Sequence, residues 1–420
     1  MMAKPPKTLE VTFMASPTPQ LGFREVLAIA AVRRIWIAQI VSVFGDFLAI
    51  FAVISVVTFR LHGTPTEISL ILVSYMLPLA FISPFAGVYV DKWNVRRTMI
   101  ASDLIRAVLI LCLPFLQGNL IAIYAIFFSL SIVSAFFVPA QSVAVRTIAP
   151  PTGLLSVNGL MSQAVQGSII IAPALAGILV DGIGANACFV LDGASFCLSA
   201  ALIFSLTIER HRGAAPPAAV SVLTSMRQGF SFIFNNSTIA FVMIAMTSGM
   251  FAMRCFGALL SVYVRDILVS SGRSFGILNA LIGVGMITGT QSLHRFARGL
   301  SQQHLIIYGI GGMSASVFIT AVIGTIPSTA AGMLGLGFSA AFVMVTSQTL
   351  IQRETPHEIL GRAISSMMSL MAISQVAAML FAGSMAQAVG IRNLYLVSGA
   401  MLATIGIVGY RKLQAREVPA

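Results

Sequence analysis

Residues 87–97 read Gly87-Val88-Tyr89-Val90-Asp91-Lys92-Trp93-Asn94-Val95-Arg96-Arg97, a short segment holding one acid and three bases. It lies between two mostly apolar stretches, Ile68–Val90 and Thr98–Leu116. A bilayer core about 30 Å thick is crossed by ~20 mostly apolar residues in a helix, so the segment reads as the turn between two membrane spans. Working outward in both directions gives twelve such runs: Ile35–Phe59, Ile68–Val90, Thr98–Leu116, Leu120–Val143, Leu154–Val180, Ala185–Ile208, Ile239–Val264, Ser274–Leu293, Leu305–Ile326, Ala330–Leu350, Ala363–Val389 and Leu394–Tyr410. The runs are continuous and lack two-residue alternation, which excludes a transmembrane β-barrel. The expected fold class is an all-α polytopic membrane protein with twelve transmembrane helices.

Composition points the same way. Of 420 residues, 57% are hydrophobic and 9% charged, against roughly 25% charged in a soluble domain, and the mean hydropathy is +0.94. A soluble enzyme, a disordered scaffold and a nucleic-acid-binding domain are excluded. The net charge of +12 is a matter of topology. Nineteen Lys and Arg residues fall in segments on the side of the termini and four (Arg60, Arg265, Arg273, Arg392) in the opposite loops. The positive-inside rule then puts both termini in the cytoplasm, in a multi-pass protein of the inner membrane whose environment is the lipid bilayer, with no nucleic-acid partner. Cys112, Cys188, Cys197 and Cys255 sit in or beside apolar runs without paired spacing and read as small core residues. The histidines have no metal spacing, and no phosphate-binding loop or catalytic constellation is present. No cofactor, metal or enzymatic reaction is expected, and any transport draws on an ion gradient or on the substrate's own.

The domain reading is a cytoplasmic tail at 1–34, a first six-helix bundle at 35–208, a cytoplasmic linker at 209–236 containing Arg210, Arg212, Pro216 and Pro217, a second bundle at 237–410, and a tail at 411–420. Val26–Val32 is apolar but flanked by Arg33-Arg34 and followed by a full span, which argues against a cleaved signal peptide. An internal repeat supports the two halves. Gln141 and Arg146 recur as Gln348 and Arg353 at an offset of 207, and Ala176-Gly177, Gly184 and Gly193 recur as Ala382-Gly383, Gly390 and Gly399 at 206. Parallel repeats of this kind place a transporter's site at the midplane between the halves.

With these residues in view, the chain resembles the major facilitator superfamily over nearly its whole length. Gly87, Asp91, Arg96 and Arg97 match the signature loop between spans 2 and 3. The resemblance implies a conformational latch there, with Gly87 letting two helices approach closely and Asp91 pairing with arginines as the bundles rock. Gly159, Ser168, Ala172, Pro173, Ala176 and Gly177 in span 5 resemble the antiporter motif of exporters, with three of its glycines replaced by Ser168, Ala172 and Ala176. Gly45-Asp46, Ser102-Asp103 with Arg106-Ala107, Phe137 with Pro139-Ala140-Gln141, and Leu191-Asp192 with Ser195-Phe196 are similar to the branch containing the enterobactin exporter and macrolide efflux proteins. One departure stands out. Drug/proton antiporters of this superfamily commonly carry an arginine inside span 4, and here the nearest is Arg146 at its exit.

Ionisable residues inside spans are costly and are functional candidates by default. Asp46 lies near the middle of span 1, where a partly desolvated carboxylate can exchange a proton for a cationic or amphipathic substrate, or can simply hold neighbouring helices. Arg254, past the middle of span 7, is open to three roles: partner of Asp46, anion contact for substrate, or a cation that snorkels outward. Asp103 and Arg106, three apart on one face of span 3, can pair with each other and read with Asp91 as part of the latch. Asp192, placed near the outer end of span 6 with Ser398 as its repeat mate, reads as a packing or gating carboxylate ahead of a third substrate or proton-coupling candidate. The expected function is a monomeric secondary transporter exporting small amphipathic, drug- or siderophore-like molecules by alternating access with proton antiport. An importer, a lipid-type flippase and a non-transporting membrane sensor or assembly module are the competing readings.

Overall fold

The computed structural model describes residues 21–90, 92–116, 118–208, 231, 236–296 and 299–417. Twelve helices long and apolar enough to cross a membrane run through it. They are α1 (Ala30–Ser55), α2 (Pro65–Val90), α3 (Val95–Leu116), α4 (Leu120–Ile148), α5 (Leu154–Gly182), α6 (Ala185–Phe204), α7 (Ser237–Asp266), α8 (Gly272–Phe296), α9 (Gln302–Ile323), α10 (Ile326–Glu354), α11 (His357–Val389) and α12 (Ile391–Glu417). A short helix, Phe23–Ala28, precedes them, and a π-helical turn, Val56–Arg60, extends α1. Polar residues start several helices. Asn119 and Asn236 each accept hydrogen bonds from two backbone N–H groups at the first turns of α4 and α7, and Ser301 and Thr325 accept one each at α9 and α10, satisfying donors that a helix start leaves unpaired.

Most helices overrun their apolar runs by a few residues. Backbone hydrogen bonding inside the helix continues past the point where hydropathy falls, because the flanking polar side chains reach water without breaking the ladder. Residues 411–417, read as tail, continue α12. The N-terminal segment is also not free over its described part. Val26 and Val32 are fully buried with Val145, Val157 and Leu160 in one apolar cluster, and the Leu21 N–H donates to the Thr152 carbonyl at 3.1 Å. Apart from residue 231 and Asn236, the 209–236 linker lies outside the described residues.

Helices α1–α6 form one bundle and α7–α12 a second, with the same packing plan. In the first, α2 packs on α4, α3 on α4 and α6, and α1 on α5 and α6; in the second, α8 packs on α10, α9 on α10 and α12, and α7 on α11 and α12. The repeat extends to the backbone. Gly184 before α6 and Gly390 before α12 have φ of +90° and +86°, a region where a side chain is strained and glycine is not.

The bundles meet along two related seams, α5 with α8 and α2 with α11. At the first, a side chain on Gly177 would start 2.7 Å from the Gly272 carbonyl oxygen, and one on Gly276 would collide with the Pro173 carbonyl. At the second, one on Gly383 would start 2.9 Å from the Ser69 side chain. These contacts lie at the side opposite the termini. There Arg265 of α7 donates from one nitrogen to the carbonyls of Thr58 and Gly63, both at 2.9 Å, while the Arg273 N–H donates to Asp181 at 3.0 Å. The Thr58 hydroxyl donates to Ser261 at 3.0 Å, and Thr66 to Gln387 at 2.7 Å. The bundles are thus clamped together on the far side.

Candidate functional site

A group of ionisable side chains is buried inside the first bundle, contributed by α1, α3 and α6. Arg106 is its centre. The guanidinium faces Asp46 of α1 at 3.6 Å and is hydrogen-bonded to Asp103 one turn back on its own helix. It is sandwiched between the rings of Phe137 and Phe196, its central carbon 4.4 and 4.3 Å from their centroids, an arrangement in which ring faces stabilise a desolvated cation. Asp192 of α6 lies within electrostatic range of Asp46, Asp103 and Arg106. It accepts a hydrogen bond from Ser195 at 3.2 Å through one oxygen, while the other is buried without a partner among the described residues. Gly45 makes this proximity possible, because a side chain there would run into Asp192 and Ser195.

Exposure separates the members. Asp103 is fully buried and Arg106 3% exposed, whereas Asp46 is 19% exposed, so Asp46 is the member of that salt-bridged trio that open space reaches. Three carboxyls share this interior with one guanidinium, which pairs with two of them. If all were ionised, two negative charges would stand uncompensated in a low-dielectric interior, and protonation is how buried groups shed such charge. Below the cluster, Gln141 of α4 donates to Gln39 of α1, and Gln141 also lines a cavity with Arg146, Asn158 and Met161 between α4 and α5.

Four expectations about placement need correcting. Asp46 is not partnered by Arg254: its cation is Arg106, and Arg254 donates through Nε to Gln375 of α11 at 2.7 Å. Asp103 and Arg106 do pair with each other, but the further described partner of the pair is Asp46 of α1, which places them in the buried cluster. Asp192 stands inside the same cluster and not at an isolated outer position, because the α1–α6 contact at Gly45 brings it there. Among the described residues Gly87 is not a close-approach glycine either, since a Cβ there would meet none of them within 4 Å.

Of the remaining loop residues, Asp91 lies outside the described residues. Arg96 donates to the Phe204 carbonyl and stacks over the Phe204 ring at 4.7 Å, tying α3 to the end of α6 within one bundle. Arg97 is exposed. The span 5 residues occupy two settings. Gly159 packs against Phe23, whereas Ala172, Pro173, Ala176 and Gly177 are buried, with Pro173 and Gly177 against the start of α8. Ser168 returns its hydroxyl to the Ala164 carbonyl at 2.8 Å. Phe137, Phe196 and Gln375 were not singled out as site residues from the sequence. The first two carried a signal, since an arginine inside a span calls for ring faces or acids. Gln375 carried none. Among the described residues, no group of three or more His, Cys, Asp or Glu side chains is placed to hold a metal ion.

Residues 35–374 match the profile of the Major Facilitator Superfamily. The chain belongs to this superfamily. Its relatives include the "Uncharacterized MFS-type transporter YfiS" of Bacillus subtilis (strain 168), 24% identical over 390 residues covering 88% of this chain and 90% of that protein. Macrolide efflux protein A of Streptococcus pyogenes is 24% identical over 384 residues, covering 89% and 94%. Among solved structures, the nucleoside transporter NupG superposes with a TM-score of 0.71 at 11% identity over 91% of this chain and 98% of that one, a likeness of fold. This superfamily member is a multi-pass membrane transporter, with relatives among the macrolide efflux proteins.

Proposed function

We propose that this transporter sits in the inner membrane with both termini in the cytoplasm and exports small amphipathic molecules, drug- or siderophore-like, by alternating access coupled to proton antiport. The observation that carries the reading is the Asp46–Arg106–Asp103–Asp192 cluster, with two carboxyls paired to one guanidinium, a third within electrostatic range, and Asp46 the most exposed member of the salt-bridged trio. With the basic loops in the cytoplasm, the far-side clamp is the external one, and the described state is closed to the outside. In the cycle, Asp46 releases its proton while the space between the bundles communicates with the cytoplasm, and then leans on Arg106. Substrate enters, the clamp at Arg265, Asp181 and Thr66 opens, and substrate leaves as a proton from outside returns to Asp46. Arg106 is the switch: it is shared by Asp46 and Asp103 when Asp46 is ionised and left to Asp103 when it is not. This route also answers the missing arginine of span 4, because α3 supplies a buried arginine in its place. The efflux relative supports the outward direction. The 87–97 loop, through Asp91, is proposed to steady the cytoplasmic closure, and the protein works as a monomer.

The test uses inside-out membrane vesicles with an acidified lumen and a pH-sensitive dye. An antiporting exporter releases lumenal protons when a transported probe is added from a panel of macrolides, dye cations and catecholate siderophores. No proton release with any member, together with probe accumulation in right-side-out vesicles, would favour the importer reading.

A further inference from the structure

Arg254 of α7 is a cation with no counter-ion among the described residues. It is the eighteenth residue of the thirty in α7, level with Asp46 at the seventeenth of the twenty-six in α1, and it is partly exposed. Its Nε bond to Gln375 is its sole hydrogen bond among the described residues, and none of their carboxylates lies within 4 Å of it. One turn further out on α7, Ala258 packs with Val73 of α2 and with Val376 and Met379 of α11, a small apolar seam joining the bundles. Arg254 and Gln375 therefore stand about one turn on the cytoplasmic side of the point where the bundles close.

The chemistry of the pair is one-sided. Gln375 spends its oxygen on Arg254, which leaves its amide N–H₂ and the two terminal guanidinium nitrogens, all donors. A donor-only cradle fits an anion and repels a cation. Apolar groups flank it: the rings of Phe251 and Phe381, 5.7 Å apart, adjoin it on the same two helices, with buried Met250, Met371 and Met379 nearby in sequence. An uncompensated charge in a membrane protein's interior is expensive, and no side chain here compensates it.

We infer that Arg254 and Gln375 are the head-group site for an amphipathic anion, so that the transported molecules carry a carboxylate or phosphate-type group beside an apolar body. The inference rests on the transport reading, since it takes the space between the bundles as the substrate path. It does not depend on Asp46 carrying the proton. Such a substrate also makes exchange electrogenic, because an anion leaving and a proton entering move charge in the same sense.

Equilibrium binding to the full-length protein in phosphatidylcholine nanodiscs tests this with four matched probes: octyl phosphate, octanoate, octyltrimethylammonium and octanol. The two anions bind at least tenfold tighter than the ammonium. In Arg254→Gln that preference disappears while octanol binding is unchanged, which also reports that the variant is folded. Arg254→Lys keeps most of it, and because the assay reads binding with no pH gradient, a failure of proton coupling is read separately. If nanodiscs containing phosphatidylglycerol abolish octyl phosphate binding, the anion held at this site is a lipid head group; if they do not, it is a free amphiphile. Equal anion binding by Arg254→Gln and the unaltered protein, or a preference for the ammonium, would overturn the inference.

Discussion

At equivalent positions of the repeated bundles, Asp103, Arg106 and Asp192 of the first correspond to Ile310, Met313 and Ser398 of the second. The packing plan is the same in both, yet the first bundle fills its middle with charge and the second with apolar contacts. Ile310 and Met313 are as buried as their charged mates, and a Cβ on Gly249 would stand 3.5 Å from the Met313 sulfur. Asp46 has its near-mate in Arg254, so one half carries an acid where the other carries a base. The comparison teaches that the duplicated scaffold fixes helix positions and seams but not chemistry. One half buries a cluster of charges, and the other an apolar interior with a single arginine on α7.

The largest effect is expected where the first half is given the second half's residue. Arg106→Met leaves buried carboxyls without their cation, which costs about 3–5 kcal/mol when a buried pair loses one partner, and should appear as a marked fall in thermal unfolding temperature. The combined Asp103→Ile, Arg106→Met, Asp192→Ser variant, which copies the second bundle, should recover most of that stability, since exchanging a whole buried charge group for apolar residues is often near neutral. If Arg106→Met alone is as stable as the parent, the cluster is not balanced by charge and the contrast between halves is cosmetic.

The seams, by contrast, should respond alike in both halves. Gly177→Val and Gly383→Val each force a side chain into a neighbour under 3 Å away, and overpacking of this kind costs about 1–3 kcal/mol. Each should disfavour the far-side-closed state, read as a longer spin-label distance between residues 66 and 387. A response from one seam only would break the symmetry. Arg265→Gln loses two charge-assisted hydrogen bonds to Thr58 and Gly63, and the same distance should shift with about 1–2 kcal/mol behind it. Gly87→Ala enters open space and should change unfolding temperature by an amount equivalent to under ~0.5 kcal/mol, in contrast to Gly177.

Much of this was legible in the sequence, and the limits have physical causes. The spans were readable because hydropathy over ~20 residues is a local quantity, but helix ends were not, since hydrogen bonding continues into polar flanks. The Asp103–Arg106 pair was readable because three residues separate neighbours on one helix face. That Arg106 also serves Asp46, and that Asp192 joins them, depends on how α1, α3 and α6 pack, and no local pattern encodes this. Gly45 looked like one small residue among many, and only the helix contact shows what its missing side chain makes room for. Gly87 erred the other way: a motif glycine read as a close contact stands in open space.

The central claim is that Asp46 is the proton's entry to the first-bundle cluster, and it is tested most directly by separating coupling from passage. Asp46→Asn, reconstituted in proteoliposomes beside the unaltered protein, is measured for transport of one probe driven uphill by a pH gradient and for exchange of the same probe without a gradient. The neutral amide stands in for a permanently protonated carboxyl, so uphill export should be lost, along with any pH dependence of probe binding, while exchange continues at a comparable rate. Undiminished uphill export by Asp46→Asn would contradict the account and move the coupling site away from this cluster's open edge.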